Sequence, residues 1–322
     1  RAEQLTGFAL MMKVRQDDRR IFGRGIHLNI CAFQNSDELD ADQIWQALNL
    51  NKAWQSGSHV DMFGQAQADL GAEETDPRYA LIKDLVVKFK DAKAFGSLLS
   101  VDNKHEATLF DLKNTLIDLI VNGDSLQKGS AEKLLPIVEQ AWILSQRYDA
   151  VIANPPYMGG GGMNANLKAF ARKHFPDSKS DLFAIMIERC LDLGNLHAIL
   201  GMVTPFVWMF ISSYQLIREK IVNKHTLASL IQLEYNAFEP ACIPVATYII
   251  VKSHIKSYVG SYIKLSDFKG HINQSPKTLE AIRNPKCGWF YTSRPDDFNK
   301  IPNSPIAYWV SDKFFNIKIK LK

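Results

Sequence analysis

Residues 148–157 read Tyr-Asp-Ala-Val-Ile-Ala-Asn-Pro-Pro-Tyr, a short apolar run that meets two prolines. Ala150-Val151-Ile152-Ala153 has the length and β-branched content of a buried parallel strand, and Pro155 must end it. Consecutive prolines fix φ and push the residue before each towards extended backbone. The strand is therefore expected to finish in a stiff corner that presents one amide side chain, one proline carbonyl and one aromatic ring. Ligands of open α/β sheets bind at such carboxyl ends of strands.

The chemistry suited to this corner is narrow. A planar exocyclic amine, such as that of adenine, is a poor nucleophile because its lone pair is delocalised into the ring. Two fixed acceptors that bind its N–H bonds favour a tetrahedral nitrogen, and the Asn154 side-chain oxygen with the Pro155 carbonyl can supply them. Tyr157 offers a flat face to a base swung out of a duplex. Such a reaction needs no metal. The plainer reading of Asn-Pro-Pro-Tyr is a turn after a strand, since Asn and Pro are ordinary turn formers.

Further segments follow in order: Lys179-Ser-Asp-Leu-Phe183, Ile187-Glu-Arg189, Met202-Val-Thr-Pro205, Leu216-Ile-Arg-Glu-Lys220, Asn236-Ala-Phe-Glu-Pro240 and Thr247-Tyr-Ile-Ile-Val251. With Asn154-Pro-Pro-Tyr157, this series resembles the catalytic half of the adenine-specific (N6) DNA methyltransferases of the type IIG and Eco57I-like group. The stretch from Asn154 through Met163-Asn164 to Phe175-Pro-Asp-Ser-Lys-Ser-Asp-Leu-Phe183 is similar to the PglX family of BREX phage-exclusion systems. The resemblance implies an α/β fold, the mixed sheet of the class I S-adenosylmethionine-dependent (Rossmann-like) methyltransferases, with a reversed terminal hairpin. It implies S-adenosylmethionine as cofactor and double-stranded DNA as partner, alongside other phage-defence subunits. In that family Asn154, Pro155, Pro156 and Tyr157 would form the catalytic loop, and Phe238 would stack with Tyr157 against the extruded adenine.

Composition sets the bounds. At 322 residues with 46% apolar content, a substantial core is available, and no apolar run reaches the ~20 residues of a membrane span. Four widely spaced cysteines (Cys31, Cys190, Cys242 and Cys287) form no Cys-x-x-Cys, which argues against structural zinc and suits a reducing cytoplasm. The net charge of +4 fits a DNA partner and many other partners equally. No Gly-x-Gly follows a strand upstream of residue 148, so the glycine-rich cofactor turn is expected to be missing and the chain to be an internal piece.

Along the chain, residues 1–12 pattern as an amphipathic helix through Leu5, Phe8, Ala9 and Met12. Residues 26–33 read as a strand, and 34–80, with Trp45 and Trp54, as a polar insertion. Helices are expected over 78–93, 109–121 and 131–146, with Pro136 in the first turns of the last, and a strand over 97–101. Two turns are candidates for contacting the cofactor's adenine, Gly96-Ser97 and the one holding Asp124. Lys168, Arg172 and Lys173 on a helix after glycines 159–162 could meet DNA phosphates; a solvated helix face would look the same. The glycines themselves read equally as hinge and as linker. Ser180 is the expected cap of helix 181–193. Asp181 at its first turn is favoured by the helix dipole, with a place in the cofactor pocket as the lesser option. Residues 1–253 are read as a partial methyltransferase domain and 254–322, rich in Pro, Lys and aromatics, as the start of a target-recognition region.

The sequence thus points to methyl transfer to adenine N6 in DNA, for phage defence or restriction-modification. Two alternatives stand beside it. One is an amino-methyltransferase acting on RNA or on a protein glutamine. The other is an inactive piece that only binds DNA or a complex.

Overall fold

The computed structural model describes residues 2–26, 28–51, 76–238 and 242–310. Trp54, Pro240 and the Lys-rich end at 318–322 lie outside the described residues. Two compact units divide the chain, Arg1–Gln146 and Arg147–Lys322.

The first unit is helical among its described residues. Helix α1 spans Ala2–Asp17, α2 Ala41–Leu48, α3 Pro77–Lys88, α4 Glu106–Asn122 and α5 Ser125–Ser145. Caps explain several starts. Asp40 accepts the N–H groups of Asp42 and Gln43, and Asp76 accepts that of Arg78 with Pro77 in the first turn, the placement that suits proline. Trp45 and Leu48 of α2 are buried with Leu81, Ile82 and Leu85 of α3. Residues 34–80 are therefore not a polar excursion throughout, since α2 and the start of α3 contribute to this core.

Four other expectations for this unit are corrected. Residues 28–33 form no strand: a strand needs a ladder, and none forms there among the described residues; the Gln34 N–H just beyond is taken by Gln140 Oε1 at 2.9 Å. Residues 97–101 likewise form a 3-10 turn over Gly96–Leu98 and then irregular chain. The amphipathic reading of α1 also fails, because Leu5, Phe8 and Met12 are all exposed. Pro136 sits in the interior of α5, not its first turns, because the helix starts at Ser125; its missing N–H takes the usual ladder donor from the Glu132 carbonyl one turn earlier, while Gln140 Nε2 donates to the Pro136 carbonyl at 2.7 Å.

The second unit is a six-stranded mixed sheet: β1 Tyr148–Ala153, β2 Gly194–Pro205, β3 Thr226–Gln232, β4 Val245–Val251, β5 Gly260–Lys264 and β6 Phe290–Ser293. Their spatial order is β1-β2-β4-β3-β5-β6. β1 runs parallel to β2, and β4 is antiparallel to both β2 and β3, giving the reversed hairpin expected. The carboxyl ends of β1, β2, β3 and β5 consequently share one edge of the sheet.

Helices α7 (Leu182–Leu193) and α8 (Gln215–Lys224) supply Phe183, Ile187, Ile217 and Ile221 to a core with Leu200, Met202, Tyr248 and Ile250 of the sheet. Helix α6 spans Ala165–His174 and α9 His271–Arg283. The division at residue 253 is not a structural one: β5 and β6 extend the same sheet, and Tyr308 stacks on Tyr262 with centroids 5.0 Å apart and planes 9° apart. Nor is β1 buried on both faces. Among the described residues it has one ladder neighbour, β2; Val151 and Ala153 pack inward, and Ile152 is 86% exposed.

Candidate active site

The stiff corner forms as the prolines dictate. β1 ends at Ala153, opposite Met202 of β2, and the chain turns through Asn154, Pro155 and Pro156 to Tyr157. Pro155 is buried, while Asn154 and Pro156 are exposed. The Tyr157 hydroxyl lies 3.0 Å from Asn154 Oδ1 and 3.3 Å from the Val203 carbonyl, and donates to these acceptors. An amide oxygen has two lone pairs, so Asn154 retains an acceptor site while it is held by the phenol. Burial pushes the Tyr157 phenol above its ordinary value, which keeps it a protonated donor at neutral pH. The Tyr157 ring meets Phe183 edge-on at 6.4 Å and 90°.

Asp181 does more than the sequence suggested. It, not Ser180, is the N-cap of α7, and the same Oδ1 accepts the N–H groups of Met158 at 3.0 Å and of Phe183 at 3.1 Å. The adjoining backbone reinforces this: Leu182 N–H donates to Met158 O at 3.0 Å, and Gly160 N–H to Ser180 O at 3.1 Å. The residue after Tyr157 is thus tied to the start of the helix behind it. Lys179-Ser-Asp-Leu-Phe183 carried this signal, an acceptor just ahead of an apolar helix. Glu188 of α7 accepts from Ser178 Oγ at 2.8 Å and pairs with Lys220 of α8, which braces the segment leading into the cap.

The glycine segment is pinned as well. Gly162 N–H donates to Gly159 O at 2.9 Å, and a Cβ on Gly162 would stand 2.9 Å from Met158 Cγ. Helix α6 follows, capped by Asn164 Oδ1 on the Leu167 N–H at 2.8 Å. Its last turn holds Arg172, Lys173 and His174; Arg172 and Lys173 are exposed and Lys168 half-buried. Burial, and then Lys173, lower the His174 pKa.

Phe238 lies beyond β3 on the sheet edge that carries Asn154, and is 52% exposed. Its loop is anchored by buried Glu234, whose Oε2 accepts the N–H groups of Asn236 at 2.9 Å and Gly270 at 3.1 Å.

The remaining cofactor candidates, Asp124 and Gly96-Ser97, belong to the first unit. Asp124 caps α5, its Oδ1 accepting from Leu126 and Gln127 in a capping box. The cap uses Oδ1 alone, so the second carboxylate oxygen remains an acceptor. Gly96 has φ +53°, and a Cβ there would meet only the Phe33 ring at 3.9–4.0 Å, so the Gly96-Ser97 turn has open space beside it. The structure thus brings together Asn154, Pro155, Pro156, Tyr157 and Asp181. It sets Phe238 along the same edge and Lys168, Arg172 and Lys173 on the helix after the loop.

Comparison with known proteins shows the family. The family model described as Eco57I restriction-modification methylase matches residues 1–238. The chain belongs to that family. It is 41% identical over 324 residues to the adenine-specific methyltransferase BrxX of Escherichia coli O9:H4 (strain HS), covering 100% of this chain and 26% of that protein. It is 31% identical over 325 residues to the adenine-specific methyltransferase PglX of Lacticaseibacillus casei (strain Zhang), covering 97% and 24%. The chain thus spans about a quarter of the length of these curated relatives. Among solved structures, a type I restriction-modification methyltransferase subunit from Streptococcus thermophilus overlaps loosely, with a TM-score of 0.38 and 12% identity over 92% of this chain and 82% of that one.

Proposed function

We propose that this chain forms the amine-holding part of a DNA adenine-N6 methyltransferase that serves phage defence or restriction-modification. The carrying observation is the exposed Asn154 side chain, fixed at the carboxyl end of β1 between a buried proline and the Tyr157 hydroxyl. The adenine amine donates one hydrogen to Asn154 Oδ1 and the other to the Pro155 carbonyl. These acceptors are in place before the substrate arrives, so no reorganisation is needed as the nitrogen becomes tetrahedral. Tyr157 and Phe238 flank the base once it leaves the duplex, and Pro156 keeps the loop from yielding. Lys168, Arg172 and Lys173 neutralise phosphates of the bound strand. Family membership and relatives named as adenine-specific methyltransferases support this reading.

S-adenosylmethionine, when bound, supplies an electrophilic methyl group on a sulfonium. The fit of this chain to it is partial. Gly96 and Ser97 offer an open polar turn, while Asp124 and Asp181 each commit Oδ1 to backbone N–H groups and keep Oδ2 as a further acceptor. The test is incubation of the full-length protein with labelled S-adenosylmethionine and, separately, duplex DNA, RNA and a glutamine-containing peptide. Label recovered as N6-methyladenine from DNA alone is expected. Label in RNA or peptide, with none in DNA, would overturn the assignment in favour of another planar amine.

A further inference from the structure

The strand register lines up Thr204, Ala246, Gln232 and Lys264 as successive neighbours on β2, β4, β3 and β5. Ala153 pairs with Met202, so Asn154 stands beside this row at the β1 end. Four strand spacings of about 4.8 Å separate β1 from β5, which places Lys264 roughly 19 Å along the edge from the catalytic loop.

A run of rings follows that edge. It begins beside the loop, because Tyr157 contacts the Val203 carbonyl and Phe206 lies three residues on. Phe206 meets Phe210 at 6.4 Å and 75°, Phe210 meets Trp309 at 5.6 Å, and Lys264 Nζ stands 5.5 Å from the Trp309 ring centre. Phe210 and Trp309 are 36% and 39% exposed, in contrast to Tyr262 and Tyr308, which are sealed in the core behind them.

These rings rest on a stiff support. Arg218 of α8 is wholly buried and donates to the carbonyls of Trp208 at 2.7 Å, Ile211 at 2.6 Å and Asn303 at 2.9 Å. One guanidinium thus holds both backbone segments that carry the aromatics. Ile306 N–H donates to Met209 O at 3.0 Å and joins the two directly.

We propose that Phe206, Phe210, Trp309 and Lys264 form a stacking track for unpaired nucleotides of the DNA strand beside the methylated base; this rests on the DNA reading above. Pulling one base out of a duplex leaves its partner unpaired and its neighbours partly unstacked. Every base has a π face, so a row of rings recovers stacking without regard to sequence. A lysine over the last ring adds a cation for the phosphates passing it. The roughly 19 Å span from Asn154 to Lys264 is the length over which such a strand leaves the site.

The test is fluorescence anisotropy with the full-length protein, a labelled oligothymidylate of about 12 nucleotides and a fully paired duplex. Phe210→Leu with Trp309→Leu removes two rings while retaining apolar volume. Tenfold or greater weakening on oligothymidylate is expected, since one lost stack is worth about 5- to 150-fold, with duplex affinity within about twofold. Trp309→Phe should restore most of the loss contributed by that position. Lys264→Gln should flatten the salt dependence on the single strand by about 0.7 in log–log slope. Unchanged oligothymidylate affinity in the double variant, or an equal loss on paired duplex, would overturn the track. Asn154→Ala serves as the separating control. It should bind oligothymidylate as wild type does, so failure of methylation and failure of the track are read in different assays.

Discussion

Replacing Asp181 by Ala tests how the catalytic loop is held. One carboxylate oxygen accepts two N–H groups, capping α7 through Phe183 and fastening the loop through Met158. Losing an N-cap costs about 1 kcal/mol, within a range of 0.5–2. The Met158 hydrogen bond, made to a charged acceptor, is worth about 1.5–3 kcal/mol when sheltered. Solvent can reach this one and replaces part of it, so the lower end applies. The total is about 2.5 kcal/mol. For a unit the size of Arg147–Lys322, each kcal/mol moves the midpoint by about 2–4 °C, giving a fall of about 5–10 °C. Asp181→Asn keeps an oxygen acceptor and should lose less than half of that. Calorimetry reads both variants, and methyl-transfer rates should fall in the same order, because the N–H being released belongs to the residue after Tyr157. Equal midpoints for the Ala variant and wild type would refute the claim that Asp181 ties the loop to the helix.

Three further outcomes are expected. Arg218→Met takes the guanidinium donor from the Trp208 and Asn303 carbonyls, while Ile211 O keeps the Tyr214 N–H, and at about 1–3 kcal/mol for each stranded group denaturant unfolding should show a loss of at least 2 kcal/mol; a loss below 1 would mean water reaches them. Tyr157→Phe keeps the ring, so its kcat/KM should stay within about tenfold of wild type, whereas Tyr157→Ala forfeits a stack worth about 1–3 kcal/mol and should fall further; equal kinetics for the two variants would deny the ring its role. Burial first, then Lys220, Lys252 and Lys224, push His225 down to about 4 in the folded chain, against about 6.5 unfolded. Between those values the unfolded chain binds the extra proton, so stability should fall as pH drops from 6.5 towards 4; midpoints across that window should flatten in His225→Leu, and a slope unchanged by that substitution would reject the assignment.

The sheet of the second unit was largely legible because its strands announce themselves. Val245–Val251 is an unbroken apolar or β-branched run and Thr226–Gln232 is mostly one, interrupted by Ser229, and Pro155 and Pro205 stop β1 and β2 where proline must. The strand expected at 26–33 failed for the opposite reason. Alternating apolar residues state a willingness to pair, and pairing also needs a partner edge, which a local pattern cannot supply. Burial of β1 was over-read in the same way, since Ile152 is apolar yet largely exposed, and among the described residues β1 pairs with β2 alone. At the site, the loop itself was readable from four residues. Its fastening to Asp181, 23 positions further on, was visible only as an acidic residue before an apolar helix. The ring run through Phe206, Phe210 and Trp309 could not be read at all. Trp309 reaches that edge through β5 and β6, in the region assigned from the sequence to a separate domain.

The most direct measurement compares wild type with Asn154→Ala in the full-length protein, following N6-methyladenine formation and duplex binding on the same DNA. If the amide oxygen holds the adenine amine during transfer, single-turnover methylation should fall by at least two orders of magnitude, as loss of a pre-placed transition-state hydrogen bond does, while DNA affinity changes by less than about threefold, the group being one polar contact among many. Wild-type turnover by Asn154→Ala would contradict the account at its centre.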